Sequence, residues 1–266
     1  MTTGRSFTLD DTEVSFEPGQ TLLTAALAVG AYIPHLCAHP DFSPHGSCRV
    51  CLVEIDGYDR PACTTLATPG LTVHSDTKTL NTLRRRLIQL LFVEGNHFCP
   101  SCEQSGQCQL QATAYQLDMV DLHFPPLSPS RELDASHAEL LLDRDRCIGC
   151  ELCVQASSQV DQKHIFSLGG RGTNTRLVVN SEHNQLGETN MAVTDRAAHV
   201  CPVGAILFKQ GNYAQTFGQR LYDQQSIAKI GNLRPEEVDP VDLHSEQINS
   251  AELDTPPTPS VDQAND

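Results

Sequence analysis

The amino-acid sequence predicts an α+β protein built from several small modules, and three observations predict it. Short runs of alternating apolar residues stand in the N-terminal quarter, two stretches with helical apolar spacing follow on from them, and eleven cysteines fall in three clusters between Cys37 and Cys201. A length of 266 residues suits one large or two to three small domains.

The elements follow in chain order. Residues 5–17 alternate around Asp10-Asp11, with Phe7 and Leu9 before the pair and Val14 and Phe16 after it, which predicts a hairpin with a tight acidic turn. Pro18-Gly19 ends it. Thr21 then stands as an N-cap before TLLTAALAV, a short buried helix stopped by Gly30 and Pro34. A long loop carries the first cysteines, RVCLVEIDG reads as a strand entering a turn at Asp56-Gly57, and LTVHS reads as a further strand, completing a small mixed sheet crossed by one helix. From Thr77 to Phe92 the leucines at 80, 83, 87, 90 and 91, with Ile88, keep helical spacing and leave Arg84, Arg85 and Arg86 outward as a solvated face. The prolines of HFPPLSPSRELD, residues 123–134, read as a linker or an extended surface crossing. GGRGTN, residues 169–174, reads as a hairpin turn.

Composition excludes several classes. The longest apolar run, Leu22 to Ile33, falls short of the roughly 20 residues a membrane-spanning helix needs, so no direct membrane insertion is expected. A net charge of -15 with only 18 Lys and Arg argues against nucleic acid as a partner. The N-terminus lacks the parts of a secretory signal, which places the cysteines in a reducing cytoplasm and points them towards metal rather than disulfides. Glu236 to Asp266 holds nine acidic residues, no Lys or Arg, and the prolines of DTPPTPS, a composition expected to form a disordered acidic tail.

The first cysteine cluster is Cys37, Cys48, Cys51 and Cys63, spaced C-x10-C-x2-C-x11-C. A loop cysteine, a close pair and a distant fourth can wrap four thiolates around two irons, as the related plant-type spacing does; a zinc ribbon prefers two C-x2-C knuckles, and one exists here. With four thiols filling that site, His35, His39 and His45 read as loop-packing residues. The second cluster, GNHFCPSCEQSGQC, supplies Cys99, Cys102 and Cys108, with His97 as the only other strong ligand nearby; spacing alone leaves open a 4Fe-4S centre and a three-cysteine, one-histidine zinc site. The third, RCIGCELC, gives Cys147, Cys150 and Cys153, half of the bacterial ferredoxin run. Ser157 stands at the local fourth position, and the missing Cys-Pro recurs in HVCPVGAI, so Cys201 is expected to close a 4Fe-4S site begun by Cys147. Three centres need twelve ligands, and eleven cysteines with His97 supply them.

These residues carry a resemblance. Four cysteines in a ubiquitin-like ferredoxin domain, a histidine with three cysteines after a helix, and a 4Fe-4S module resemble the N-terminal part of the large iron-sulfur subunit of complex I. The combination of LLFVEGNHFCPSCEQSGQCQLQA and DRDRCIGCELCVQAS in a short chain is similar to the small diaphorase (gamma) subunits of bidirectional NAD-reducing nickel-iron hydrogenases, over roughly residues 5–225. The resemblance implies a 2Fe-2S ferredoxin domain over 1–77, a helical His/Cys-ligated 4Fe-4S segment over 78–122, a linker over 123–136, a ferredoxin-like 4Fe-4S domain over 137–225 and an acidic tail over 226–266. It also implies a partner subunit that carries FMN and binds NAD, and a nickel-iron hydrogenase heterodimer. One departure concerns the histidine: complex I chains carry H-x3-C, whereas His97 precedes Cys99 by two and Gly95 stands in the expected place.

No dinucleotide fingerprint, phosphate loop or nucleophile-base pair is legible, which fits a chain whose chemistry is electron transfer. The expected function is that of an electron-conducting subunit of a cytoplasmic NAD-reducing hydrogenase. The alternatives are the same module in an NAD-dependent formate dehydrogenase or a complex I-like enzyme, and, from another class, a zinc-stabilised assembly adaptor.

Overall fold

The computed structural model describes residues 5–127, 130–210 and 215–232. β1 (Ser6–Leu9) pairs antiparallel with β2 (Thr12–Ser15), Leu9 opposite Thr12. Asp10 and Asp11 turn the chain at φ of 46° and 68°. A two-residue hairpin needs two successive left-handed residues to match strand twist, and aspartate tolerates that region. The Asp10 carboxylate also accepts from the backbone N–H of Ser75 at 2.7 Å and of Asp76 at 3.2 Å, so the first turn fixes the chain just ahead of the long helix.

α1 (Leu22–Ala28) begins where Thr21 Oγ1 accepts from the Thr24 N–H at 3.2 Å, a cap worth about 1 kcal/mol, and it stops before Gly30 at φ 78°. β3 (Leu52–Ile55) turns at Asp56-Gly57, both left-handed, into β4 (Tyr58–Pro61), and β5 (Thr72–His74) returns between β1 and β3. The sheet order is β2-β1-β5-β3-β4, parallel only between β1 and β5. Phe7, Leu9, Val14, Val53 and Val73 from one sheet face meet Leu22, Ala25 and Ala26 of α1, and Cys51 and Cys63 are buried in the same core. This is the mixed sheet with one helix that the alternation predicts, with β4 as an addition.

α2 (Lys78–Glu94) starts at Thr77, whose Oγ1 accepts from the Leu80 N–H at 3.1 Å. Its arginines correct the expected outward face. Arg86 is exposed and Arg85 donates to the Leu117 carbonyl at 2.8 Å, but Arg84 is 1% exposed, between Leu80 and Ile88 on the buried stripe, while Leu90 faces out. All five Arg84 N–H donors find neutral acceptors: Nε on the Val50 carbonyl, Nη1 on the Ser75 carbonyl and Asn81 Oδ1, Nη2 on the Leu52 carbonyl and Ser75 Oγ. Arg84 thus clamps α2 to the backbone on both sides of Cys51. The apolar count along the helix could not reveal this, because backbone carbonyls from another module made the core position polar.

After α3 (Gln109–Gln116) the segment that reads as a linker is tied by Leu127 N–H to the Val93 carbonyl and by Arg131 N–H to Asp145 Oδ1, both at 2.8 Å. It then contributes β6 (Leu133–Asp134) to a second sheet of order β10-β7-β6, with β7 (Leu140–Asp143) and β10 (Ile206–Phe208). Between them lie α4 (Leu152–Gln155), a wider π-helical turn at Ala156–Val160, the hairpin β8 (Phe166–Gly169) and β9 (Arg176–Val179), and α5 (Arg196–His199). GGRGTN is that hairpin's turn, as expected.

α6 (Leu221–Gln224) and α7 (Ile227–Ile230) end the described chain. Residues 226–232 fall within the expected tail, yet Asn232 Nδ2 donates to the His35 carbonyl at 2.8 Å and to Gln109 Oε1 at 3.0 Å, and Tyr32 Oη donates to Asn232 Oδ1 at 3.1 Å. Residues to Asn232 form one compact unit. The acidic segment from Glu236 onwards lies outside the described residues. No helix among the described residues is long and apolar enough to cross a membrane.

Candidate metal centres

None of the eleven cysteines, all within the described residues, is in a disulfide. The first four come together around the loop after α1 and the ends of β3 and β4. Cys37, Cys51 and Cys63 are buried and Cys48 is partly so. Arg49, left-handed at φ 59°, turns the short C-x2-C segment, and the Cys48 N–H donates to Cys37 Sγ at 3.5 Å. Hydrogen bonds from Cys48 and then Cys63 hold the Cys37 thiol below its ordinary range, and a bond from Cys63 does the same for Cys51. The donors Cys48 and Cys63 are pushed up in return. Four thiols sharing protons in this way are a donor set in which metal can replace the shared hydrogens. The three nearby histidines are engaged elsewhere: His35 Nδ1 with the Ile33 carbonyl at 2.7 Å, His39 Nε2 with Arg196 at 3.1 Å, and His45 with Glu151 at 3.8 Å.

The second group follows α2. Gly95 is extended, Asn96 N–H donates to the Asp145 carbonyl at 2.9 Å, and Cys99 opens a single tight turn to Ser101, with Cys102 after it and Cys108 just ahead of α3. Burial first, and the neighbouring thiols with it, raises the Cys99 and Cys108 thiols, the latter to about 12; burial also raises Cys102. His97 lies beside them with its Nε2 buried and without a hydrogen-bond partner, a costly arrangement for a polar atom unless a ligand completes it. Burial, then Arg146 and Arg131, hold its pKa at about 4, so the imidazole is neutral near pH 7, the form that can bind metal. A Cβ added at Gly95 would stand 2.7 Å from that Nε2 and 2.4 Å from the Asp145 carbonyl. The imidazole therefore folds back over residue 95 and fills the volume a side chain there would need.

The third group lies between β7 and β10. Gly149 and Glu151, left-handed at φ 63° and 62°, coil the backbone around Cys147, Cys150 and Cys153, and the Gly149 N–H donates to Cys147 Sγ at 3.5 Å. Cys201 arrives from the end of α5, and all four cysteines line one cavity closed by Ile148, Leu168, Leu177, Val203 and Ile206. Burial and then the neighbouring thiols raise Cys147 to about 11 and push Cys150 and Cys153 up as well. Ser157 is buried with its Oγ accepting from the Ile165 N–H at 2.7 Å, so the local fourth position is spent on the fold. Among the described residues no group of three or more His, Cys, Asp or Glu closes to the radius of a single metal ion.

The three groups are neighbours. Cys48, Cys108, Cys147 and Cys201 rest on one apolar core of Leu36, Val50, Ile88, Leu110, Val203 and Ala205. Cys37 contributes to the charge environment of Cys150, and Arg146, next in sequence to Cys147, reaches Cys102. Sequence spacing contains none of these adjacencies. Nor does it show the roles of Arg84, Arg146 and Asn232, whose partners are distant in sequence.

Comparison with known proteins covers the same three stretches. Residues 5–78 match the 2Fe-2S iron-sulfur cluster binding domain, residues 84–123 the NADH-ubiquinone oxidoreductase-G iron-sulfur binding region, and residues 140–208 the 4Fe-4S single cluster domain. The gamma subunit of the NAD-reducing hydrogenase HoxS of Cupriavidus necator is 39% identical over 222 residues, which are 83% of this chain and 94% of that one. The G subunit of the NADH-quinone oxidoreductase of Mycobacterium tuberculosis is 30% identical over 207 residues, 76% of this chain but 25% of that longer protein. A chain in the crystal structure of an NAD+-reducing [NiFe]-hydrogenase in the H2-reduced state superposes with a TM-score of 0.83 at 49% identity, covering 86% of this chain and 97% of that one.

Proposed function

Since the chain belongs to the family of iron-sulfur gamma subunits of NAD-reducing hydrogenases, we propose that it holds three centres in a line and conducts electrons between a nickel-iron hydrogenase heterodimer and a flavin subunit. It is an iron-sulfur, electron-transferring subunit of an oxidoreductase complex, with a 2Fe-2S domain followed by 4Fe-4S regions. The proposed ligands are Cys37, Cys48, Cys51 and Cys63 for one 2Fe-2S cluster, His97, Cys99, Cys102 and Cys108 for one 4Fe-4S cluster, and Cys147, Cys150, Cys153 and Cys201 for a second. FMN and NAD sit on the flavin subunit, and the assembly works in the cytoplasm. The single observation that carries the reading is the third cavity, where Cys201 joins three cysteines from a different part of the chain.

Bound clusters supply one-electron acceptance and release. The chain's residues supply the rest. Thiolates hold the iron, amide donors such as Cys48 N–H and Gly149 N–H steady charge on the ligand sulfurs, and Ile148, Leu168 and Val203 keep water from the third site. A neutral His97 makes its centre less negative than four thiolates would. The proposed order is the Cys37 group, the Cys147 group, then the Cys99 group. Two observations support it: Cys37 and Cys150 share one buried cluster, and Arg146, which precedes Cys147, donates to Cys102.

Iron and acid-labile sulfide analysis of the anaerobically purified chain tests the ligand sets. The expected result is about ten of each per chain, from one 2Fe-2S and two 4Fe-4S clusters. A reproducible value near six would remove one 4Fe-4S assignment, and zinc without sulfide would favour the adaptor.

A further inference from the structure

We infer that Arg146 raises the reduction potential of the centre served by Cys102, by donating a hydrogen bond from its charged guanidinium to that ligand sulfur, and that Glu103 opposes the effect. The inference rests on the assignment of Cys102 to an iron-sulfur centre. Arg146 Nη1 lies 3.5 Å from Cys102 Sγ and 2.6 Å from Glu103 Oε2, while Nε lies 2.7 Å from Asp143 Oδ2. Nη1 carries two N–H groups, so one serves the sulfur and the other the carboxylate. Two ion pairs from different parts of the chain thus aim the guanidinium at one sulfur. Its side chain is 19% exposed, and those of Glu103 and Asp143 are 20% and 14% exposed, so water dilutes these charges only in part.

The backbone leaves room for the contact. A Cβ at Gly204 would stand 3.3 Å from Cys102 Sγ and 3.4 Å from Arg146 Nη1, tighter than side chains ordinarily tolerate. The glycine of the CPVGAI segment, three residues after Cys201, therefore leaves the space in which the guanidinium and the sulfur meet.

Reduction adds one negative charge to a centre and its ligand sulfurs. A cation donating to a sulfur stabilises the reduced form more than the oxidised one and raises the potential. Glu103, sharing the same nitrogen, offsets part of that charge. Its removal should therefore move the potential in the direction opposite to the removal of Arg146.

The test is a redox titration followed by electron paramagnetic resonance on the full chain in its complex, with Arg146→Gln, Arg146→Lys and Glu103→Gln. Arg146→Gln is expected to lower the one-electron reduction equilibrium of the His97/Cys102 centre about tenfold, which is about 59 mV, with smaller shifts at the other two centres. Arg146→Lys keeps the charge and gives a smaller fall, and Glu103→Gln gives a rise. General damage to the fold does not move one centre in two directions. An unchanged potential in Arg146→Gln, or shifts of the same sign in the Gln variants of Arg146 and Glu103, overturns the inference. If Arg146→Gln fails to assemble the centre, Glu103→Gln decides alone by the sign of its shift. A 4Fe-4S signal that survives Cys102→Ser unaltered would instead overturn the ligand assignment beneath it.

Discussion

Cys201→Ser and Cys147→Ser are expected to remove or convert the same 4Fe-4S centre, although the two residues lie 54 positions apart in the sequence. The reason is geometric. Cys147 enters the cavity from the loop before α4 and Cys201 from the end of α5, and both line it with Cys150 and Cys153. A serine at either position substitutes a poor iron ligand for a thiolate, in a site lined otherwise by Gly149, apolar residues and Glu151. Iron should fall by about four per chain in each variant, or by about one where a three-iron form persists, and the same resonance should change in both. Because this centre lies between the other two in the proposed order, hydrogen-driven NAD reduction by the complex should drop to background. Separate resonances affected by the two variants would break the assignment of Cys201.

His97 gives the second large effect. His97→Ala is expected to make the centre of Cys99, Cys102 and Cys108 labile, because it removes the proposed fourth ligand and empties the space over Gly95. His97→Cys should retain the cluster with a lowered potential, since a thiolate adds the negative charge that a neutral imidazole lacks. The direction follows from the charge difference that separates histidine-ligated from all-cysteine centres. Iron analysis and a redox titration read both outcomes. Unchanged spectra and potentials for every centre in the two variants would show that the fourth ligand is another group.

The two-residue shift of this histidine illustrates what spacing can and cannot convey. On the linear pattern, His97 stands too close to Cys99 and Gly95 stands where the imidazole belongs. In three dimensions the extended backbone at Gly95 and the fold of residue 97 back across it bring the ring into the volume of the missing side chain. Only the absence of a Cβ at 95 permits this, and the sequence displays that absence without its meaning.

Elsewhere, legibility follows locality. The turns at Asp10-Asp11 and Asp56-Gly57, the Thr21 cap and the GGRGTN hairpin are decided by neighbouring residues, and all are readable. β4, with the sequence YDRP, shows no alternation because it is an exposed edge strand. Arg84 reads as solvated because its acceptors, the carbonyls of Val50, Leu52 and Ser75, belong to another module. Asn232 looks like the beginning of a polar tail because its partners lie beside His35 and Gln109. The same limit applies to the sites: clusters of four, three and four cysteines can be counted along the chain, but which centre adjoins which is a property of packing on the shared core of Leu36, Val50, Ile88 and Val203.

The most direct test of the relay is to expose the anaerobic complex to hydrogen and record the electron paramagnetic resonance of this chain's three centres before and after adding oxidised NAD. Hydrogen is expected to reduce the centres, and NAD to reoxidise them as NADH forms. Hydrogen-driven NADH formation that continues at full rate in Cys147→Ser, with the remaining centres staying oxidised, would mean that electrons bypass this chain and would contradict the account.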